Sequence, residues 1–156
     1  IEPNKNGNIL LEYARNTGIC LKVIGRYSWR DKYRYRKFKN IEFLGMVTEK
    51  EKFKLLSNAK GYITLGVEDF GIFPVESMSC GTPVLFYKNG GVCESVIENK
   101  TGIGIGDLTE DSFREGLKRF NNRKWDYKYI SKYSKKFSSE RFRKEMKKII
   151  NGLLEN

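Results

Sequence analysis

The fold of this 156-residue chain is decided by the stretch Val67-Glu68-Asp69-Phe70-Gly71-Ile72-Phe73-Pro74-Val75-Glu76, which follows the strand-like segment Gly61–Leu65. Pro74 suits the first position of a helix, because the N–H group that proline lacks would have no partner there. We therefore expect Glu68 on a loop at the carboxyl end of a strand. Glu76 should lie about one turn into the next helix. Ligands of open α/β sheets bind at this edge.

The residues of this loop suit a ligand that carries both phosphate and hydroxyl groups. Free backbone N–H groups of Phe70, Gly71 and Ile72 would point at an anion. The carboxylates of Glu68 and Glu76 have the wrong charge for a phosphate, but they accept hydrogen bonds from sugar hydroxyls. Paired carboxylates also occur in glycosidases, yet amide-rich turns of a parallel α/β sheet fit a nucleotide diphosphate better. The loop predicts a nucleotide-sugar site.

Helical and strand-like patterns alternate along the rest of the chain. Such an order predicts βαβ units, a parallel sheet covered on both faces and right-handed crossovers. The predicted strands are 19–24, 41–44, 61–65, 83–87 and 102–105; the predicted helices are 6–16, 29–39, one after the Thr48–Glu51 capping box, 74–80, 92–98, one after Thr109, 125–136 and 139–154. The last two exceed what the sheet needs, so helices 125–154 are expected to cross toward another domain.

Composition limits the class of protein. The length and the 39% hydrophobic content predict one folded domain spanning 1–156. The chain begins at Ile1 without a methionine or a signal region, so we expect a fragment of a longer, cytoplasmic protein. Three cysteines without a Cys-x-x-Cys spacing favour reduced thiols. Because there is no histidine, Ser-His and Cys-His nucleophiles are excluded and a transition-metal site is disfavoured.

The net charge of +11 is concentrated in two places, Arg26–Lys39 and Lys118–Lys148. The first holds seven basic residues against one acidic residue, interleaved with aromatic side chains. Solvated helix faces are the simplest interpretation. Peripheral contact with an anionic membrane, at its inner face, is the next, and nucleic acid is the least favoured.

Two further features each allow two interpretations. Gly90-Gly91 follows a predicted strand and is either a plain turn or a place where the backbone closely approaches a phosphate. Lys5 precedes the first helix, where a lysine is usually solvated. Beside a diphosphate it could instead stabilise charge on the leaving group.

Taken in order, the motifs resemble the C-terminal, donor-binding half of retaining family-four glycosyltransferases of the GT-B fold, a Rossmann-like three-layer sandwich. The resemblance runs from about Asn4 to the final helix. The matching segments are Phe43-Leu44-Gly45-Met46-Val47, Glu51-Lys52-x2-Leu55-Leu56, Glu68–Glu76, Cys80-Gly81-Thr82-Pro83-Val84, Gly90-Gly91-x2-Glu94-x-Val96, Thr101-Gly102 and Phe137-Ser138-x-Glu140-Arg141-Phe142. The form of the central motif is most similar to mannosyltransferases that use GDP-mannose in surface-polysaccharide assembly.

The resemblance implies a role for each candidate at the sugar and phosphate end of the site. Glu68 would contact the donor sugar, and amides of residues 70–72 would help bind sugar and phosphate. Lys5 matches the lysine of an Arg-x4-Lys pair that clamps the diphosphate, so Glu68 and Lys5 form the implied catalytic group. The arginine of that pair would fall just before Ile1. Asp69 stands where the family commonly has glycine.

The nucleotide end of the site is implied in the same way. Glu76 would hold the ribose hydroxyls, and Met46 or Val47 would lie near the base. The glycine pair Gly90-Gly91 would belong to the donor-binding surface.

The implied reaction is retaining, metal-independent transfer, with no cofactor, from a nucleotide sugar to a glycan or lipid-linked acceptor. The acceptor would bind to an N-terminal domain absent from this sequence, so we expect the chain alone to be inactive. Two alternatives remain: a GT-B relative such as a nucleotide-sugar epimerase, and a non-catalytic basic module. Epimerases would be expected to carry histidine, which this chain lacks.

Overall fold

The computed structural model describes residues 5–154, which alternate between helices and strands as the sequence predicts. The strands are β1 (Leu21–Ile24), β2 (Ile41–Gly45), β3 (Tyr62–Thr64), β4 (Val84–Tyr87) and β5 (Gly102–Ile105); the helices are α1 (Gly7–Thr17), α2 (Trp29–Tyr35), α3 (Glu49–Asn58), α4 (Ile72–Ser79), α5 (Val92–Ser95), α6 (Glu110–Asn122), α7 (Tyr127–Ser134) and α8 (Ser139–Leu154). A 3₁₀ turn, Lys135–Phe137, joins α7 to α8.

All named strand pairs are parallel, which confirms the predicted α/β class. The strands form two hydrogen-bonded groups, β1-β2 and β3-β4-β5, where the sequence suggested one sheet. In the first group Leu21 lies opposite Ile41. In the second, Tyr62 lies opposite Val84, and Val84 lies opposite Gly102.

Strand β4 shows the three-layer arrangement most directly, because both of its faces are buried. Leu85 packs in one core cluster with Phe113 and Phe120 of α6. Its neighbours Val84 and Phe86 pack in a second cluster with side chains from α4, α5 and α7. Alternate residues of a strand face opposite sides of a sheet. Helices therefore cover this strand on both faces.

Three predicted helix boundaries were wrong. Helix α4 begins at Ile72, so Pro74 occupies its third position and not its first; this is tolerated because none of the first N–H groups of a helix has an intrahelical partner. Helix α5 ends at Ser95, and buried Val96 is extended within the core. Helix α2 ends at Tyr35, after which the chain turns into β2.

Helix α8 leaves an apolar stripe exposed. The stripe consists of Phe142, Met146, Ile149, Ile150 and Leu153. Its crossing toward another domain stays a prediction. Within residues 5–154, no helix is both long and apolar enough to cross a membrane.

Candidate functional site

The two glutamates of the central motif lie around the end of β3 and the start of α4. Glu68 lies on the loop between them, and Glu76 is the fifth residue of α4. Burial, together with the negative charges of Glu68 and Glu76, raises the pKa of Tyr62 on β3. The predicted positions, Glu68 on a loop after a strand and Glu76 about one turn into the next helix, are confirmed.

The glycine pair packs directly against the Glu68 loop. Glu68 and Gly90 form a parallel bridge, and the Gly91 N–H donates to the Glu68 carbonyl oxygen at 2.7 Å. Gly90 has a φ of +77°, and a Cβ there would lie 2.6 Å from that carbonyl oxygen. A Cβ on Gly91 would overlap the Asp69 carbonyl group. The backbone that these glycines approach is therefore the protein's own loop, which neither sequence interpretation anticipated.

Lys5 meets Glu68 across 63 residues of sequence. Its Nζ lies 3.1 Å from Oε1 and 3.2 Å from Oε2 of that carboxylate. The neighbouring Asn6 side chain donates to the Leu65 carbonyl oxygen at 2.8 Å, which holds the start of α1 against the end of β3. The Lys5 side chain remains 46% exposed, so a ligand can reach it. The two residues that the resemblance implied as catalytic are thus adjacent.

Glu76 is held by a buried lysine. Nζ of Lys52 on α3 lies 2.8 Å from Glu76 Oε1, and 2.8 Å from Oε2 of Glu49 one helical turn earlier. Burial alone would lower the pKa of Lys52, but its hydrogen bonds to Glu49 and Glu76, together with their charges, raise it. The ammonium also lies 5.2 Å from the centre of the Phe73 ring.

The second oxygen of Glu76 has no such partner. Oε2 is buried and accepts no hydrogen bond from any residue that the structure describes. A buried carboxylate oxygen that is left unpaired is costly. This oxygen is available to a donor group that a ligand would bring.

The motifs of the sequence assign no role to Lys52, although its position on α3 is a signal for one. Position 52 lies one turn before buried Leu56 on the apolar face of α3. A lysine in an apolar stripe needs a buried acid as a partner. Its partner, Glu76, is 24 residues away in sequence, so only the fold identifies it.

The start of α4 presents the backbone that was predicted to face an anion. Gly71 precedes the helix with a φ of +81°, a conformation that favours glycine. Its carbonyl accepts from Val75 N–H, so the N–H of Ile72 lies ahead of the first helical hydrogen bond. The Phe70 ring is half exposed and meets the Phe137 ring edge-on at 6.0 Å. This contact links the loop to the turn before α8.

The candidates for the base lie on the other strand group. Met46 and Val47 follow β2, after Gly45 with its φ of +75°, and Met46 is largely exposed. No hydrogen bond or ring contact in residues 5–154 joins either of them to Glu68 or Glu76. Direct contacts join Lys5 to Glu68 and Glu68 to the glycine pair, whereas the placement of Met46 and Val47 near a base stays a prediction.

Comparison with known proteins agrees with this geometry. A family model described as glycosyl transferases group 1 matches residues 1–137. The alpha-1,3/1,6-mannosyltransferase ALG2 of Dictyostelium discoideum is 30% identical over 145 residues, covering 88% of this chain and 34% of that protein. The chain thus spans about a third of the length of this curated relative.

Solved structures share the fold at low sequence identity. A glycosyltransferase from Rickettsia africae matches with a TM-score of 0.80 at 17% identity, covering 99% of this chain and 46% of the other. Anabaena HepE in complex with UDP-glucose matches with a TM-score of 0.67 at 19% identity, covering 100% and 47%. These neighbours are GT-B glycosyltransferases. The family match over residues 1–137 shows that this chain belongs to the group 1 glycosyltransferases, and the solved structures show that its fold matches about half of a GT-B glycosyltransferase.

Proposed function

We propose that this chain is the donor-binding half of a retaining glycosyltransferase and that it binds a nucleotide-diphosphate sugar between β3 and α4. The observation that carries the proposal is the ion pair between Lys5 and Glu68, in which Nζ lies 3.1 Å from Oε1 on the loop between β3 and α4. The pair supplies a cation for a diphosphate and a carboxylate for sugar hydroxyls. The site is completed by Glu76, whose buried free oxygen suits a ribose hydroxyl.

GDP-mannose is the donor we favour. Relatives named as mannosyltransferases support the sugar, whereas the structural neighbour HepE was solved with UDP-glucose. Met46 and Val47 would contact the base, beyond the ribose held by Glu76. The acceptor, a glycan or a lipid-linked sugar, would bind to the part of the protein outside this chain.

The proposed chemistry rests on charge and position, with no metal ion or other cofactor. The bond from the sugar C1 to the diphosphate oxygen breaks, and the electron pair leaves with the diphosphate. Lys5 and the N–H groups of Phe70, Gly71 and Ile72 stabilise that charge. The acceptor hydroxyl attacks from the face that the diphosphate leaves and passes its proton to the departing diphosphate oxygen, while Glu68 holds the sugar in place. Closure of the two domains would assemble this arrangement.

Calorimetric titration tests the proposal. The protein expressed from its complete gene is titrated with GDP-mannose, GDP and UDP-sugars. Glu76→Ala should lower the affinity for the preferred ligand about tenfold to a hundredfold, since hydrogen bonds to a charged acceptor contribute roughly 1.5–3 kcal/mol. The control is Glu115→Ala, which removes the same charge at an exposed position of α6. This variant should bind the ligand as the wild type does. If no nucleotide or nucleotide sugar binds the wild type at millimolar concentration, the proposal is wrong.

A second candidate function, contact with an anionic membrane, is favoured by the surface of α2. Trp29 is 73% exposed and Tyr33 is 62% exposed. The Arg30 guanidinium lies over the Trp29 ring at 5.7 Å, and that of Arg36 lies over Tyr33 at 4.1 Å. Amphipathic rings among cations are typical of a membrane interface. Such contact would place the protein at the cytoplasmic face of a membrane, near a lipid-linked acceptor.

Vesicle sedimentation tests this contact. Phosphatidylcholine vesicles with phosphatidylglycerol should bind the protein, and vesicles without it should not. Replacing Arg30 and Arg36 by alanine should reduce binding about tenfold or more, at roughly 1 kcal/mol per cation. The control replaces the exposed residues Lys60 and Lys118 by alanine, which also removes two positive charges. Equal binding to both kinds of vesicle would exclude the proposal, and steeply salt-dependent binding to DNA alone would indicate nucleic acid instead.

A further inference from the structure

Lys52 has a charged side chain at a buried position of α3 where an apolar residue would be expected. It lies on the inner face of α3 with its side chain only 8% exposed. Of its two partners, Glu49 is 77% exposed and lies on the same helix, whereas Glu76 is mostly buried and belongs to another element. The contact that distinguishes this lysine is therefore the one with Glu76.

Stability alone is a poor explanation for this pair. Removing two charges from water costs several kcal/mol per ion, and apolar residues often replace buried ion pairs without loss of stability. A pair selected for stability would also satisfy both carboxylate oxygens. Here Oε1 accepts from Lys52 at 2.8 Å, and Oε2 is buried without a partner among the described residues.

The arrangement controls how Glu76 can be presented. The ammonium fixes Oε1 at 2.8 Å, and the Phe73 ring lies 5.2 Å from the ammonium. With one oxygen fixed, the other has a defined position before any ligand arrives. Preorganised acceptors bind more strongly because less ordering is needed on binding.

We propose that Lys52 is a positioning residue that orients Glu76 so that its Oε2 accepts a hydrogen bond from the ribose hydroxyls of the donor nucleotide. This rests on the proposed function and deepens it. Lys52 does not touch the ligand. Its effect on binding passes through Glu76 and therefore depends on the hydroxyls being present.

The test compares a nucleoside diphosphate with its 2′,3′-dideoxy analogue, using the protein expressed from its complete gene. GDP is the first probe and UDP the second. The wild type should prefer the hydroxyl-bearing form by about tenfold to a hundredfold, as expected for hydrogen bonds to a charged acceptor. Lys52→Met should remove most of that preference while leaving affinity for the dideoxy analogue nearly unchanged. Lys52→Met combined with Glu76→Gln should resemble Glu76→Gln alone.

The control is Lys54→Met, which makes the same change at an exposed position on α3. If Lys52→Met keeps the full wild-type preference for the ribose hydroxyls, the proposal is overturned while the proposed function stands. If the wild type binds neither diphosphate, the proposed function itself fails, and the inference fails with it.

A measurement on the unsubstituted protein covers the case in which Lys52→Met does not fold. The ¹⁵Nζ resonance of a buried, hydrogen-bonded lysine ammonium is observable by NMR. The Lys52 resonance should move when the diphosphate binds and move much less with the dideoxy analogue. Equal movement with both ligands, or none with either, would overturn the proposal.

Discussion

Gly91→Ala tests whether the glycine pair sets the position of Glu68. The Gly91 N–H donates to the Glu68 carbonyl oxygen at 2.7 Å. A Cβ on Gly91 would lie 2.6 Å from the Asp69 carbonyl carbon and 3.0 Å from the Phe70 Cα. Carbon atoms in ordinary contact are about 3.5–4.0 Å apart. One of the two loops must therefore move by roughly 1 Å.

The expected cost combines two effects. Overpacking costs about 1–3 kcal/mol, and weakening the hydrogen bond to Glu68 costs about 0.5–1.5 kcal/mol. The free energy of unfolding should fall by about 2–4 kcal/mol, which lowers the Tm by about 5–15 °C for a chain of this size. Because the displaced loop carries Glu68, donor affinity should fall as well.

Thermal unfolding followed by circular dichroism measures the first effect, and calorimetric titration measures the second. Gly106→Ala is the matched control, because it adds the same methyl group where no atom lies within 4 Å. It should leave the Tm within about 3 °C of the wild type, since such changes alter stability by less than about 1 kcal/mol. A Tm for Gly91→Ala equal to that of the control would refute the claim that the two loops are tightly packed.

Three other outcomes follow from the structure. Lys5→Ala should lower the Tm by no more than about 4 °C, because a half-exposed ion pair contributes about 0–1 kcal/mol. It should nevertheless weaken nucleoside diphosphate binding at least several-fold in calorimetry; unchanged affinity would remove Lys5 from the site. Thr48→Ala should lower the Tm by about 2–4 °C in thermal unfolding, since it removes a capping box worth about 1 kcal/mol; an unchanged Tm would show that the cap contributes nothing. Burial, together with the hydrogen bond to Glu12, raises the pKa of Tyr35 to about 12, so folding stability from this phenol is present below pH 10 and is lost as pH rises toward 12. In alkaline melts Tyr35→Phe should lose less stability over that interval than the wild type, and identical slopes would contradict this assignment.

Features that depend on nearby residues were predictable from the sequence. The Thr48–Glu51 capping box is present in full, with both reciprocal hydrogen bonds. The apolar run of β4 is buried on both faces, as a central parallel strand requires. The placement of Glu68 and Glu76 at a strand's carboxyl end also followed, because it depends only on the order of strand, loop and helix.

Features that depend on the packing of distant segments could not be predicted. The contact between Lys52 and Glu76 joins two helices, and no local pattern gives the distance between them. Likewise, the Gly91 backbone lies against Asp69, which is 22 residues earlier, so its glycine requirement comes from a tertiary contact. The early end of α5 has the same origin, because burial of Val96 in the core outweighs continuation of the helix.

The two cations of the candidate site differ in a way that suits its two ends. Lys52 is buried, and its contact with Glu76 is fixed before a ligand arrives. Lys5 is half exposed, and an ion pair of that kind is weak enough for a diphosphate to compete for the lysine. If a diphosphate takes Lys5, Glu68 loses its cation and becomes free to accept hydrogen bonds from the sugar. On the proposed function, phosphate binding at one residue therefore prepares the carboxylate that holds the sugar, while the ribose end needs no rearrangement.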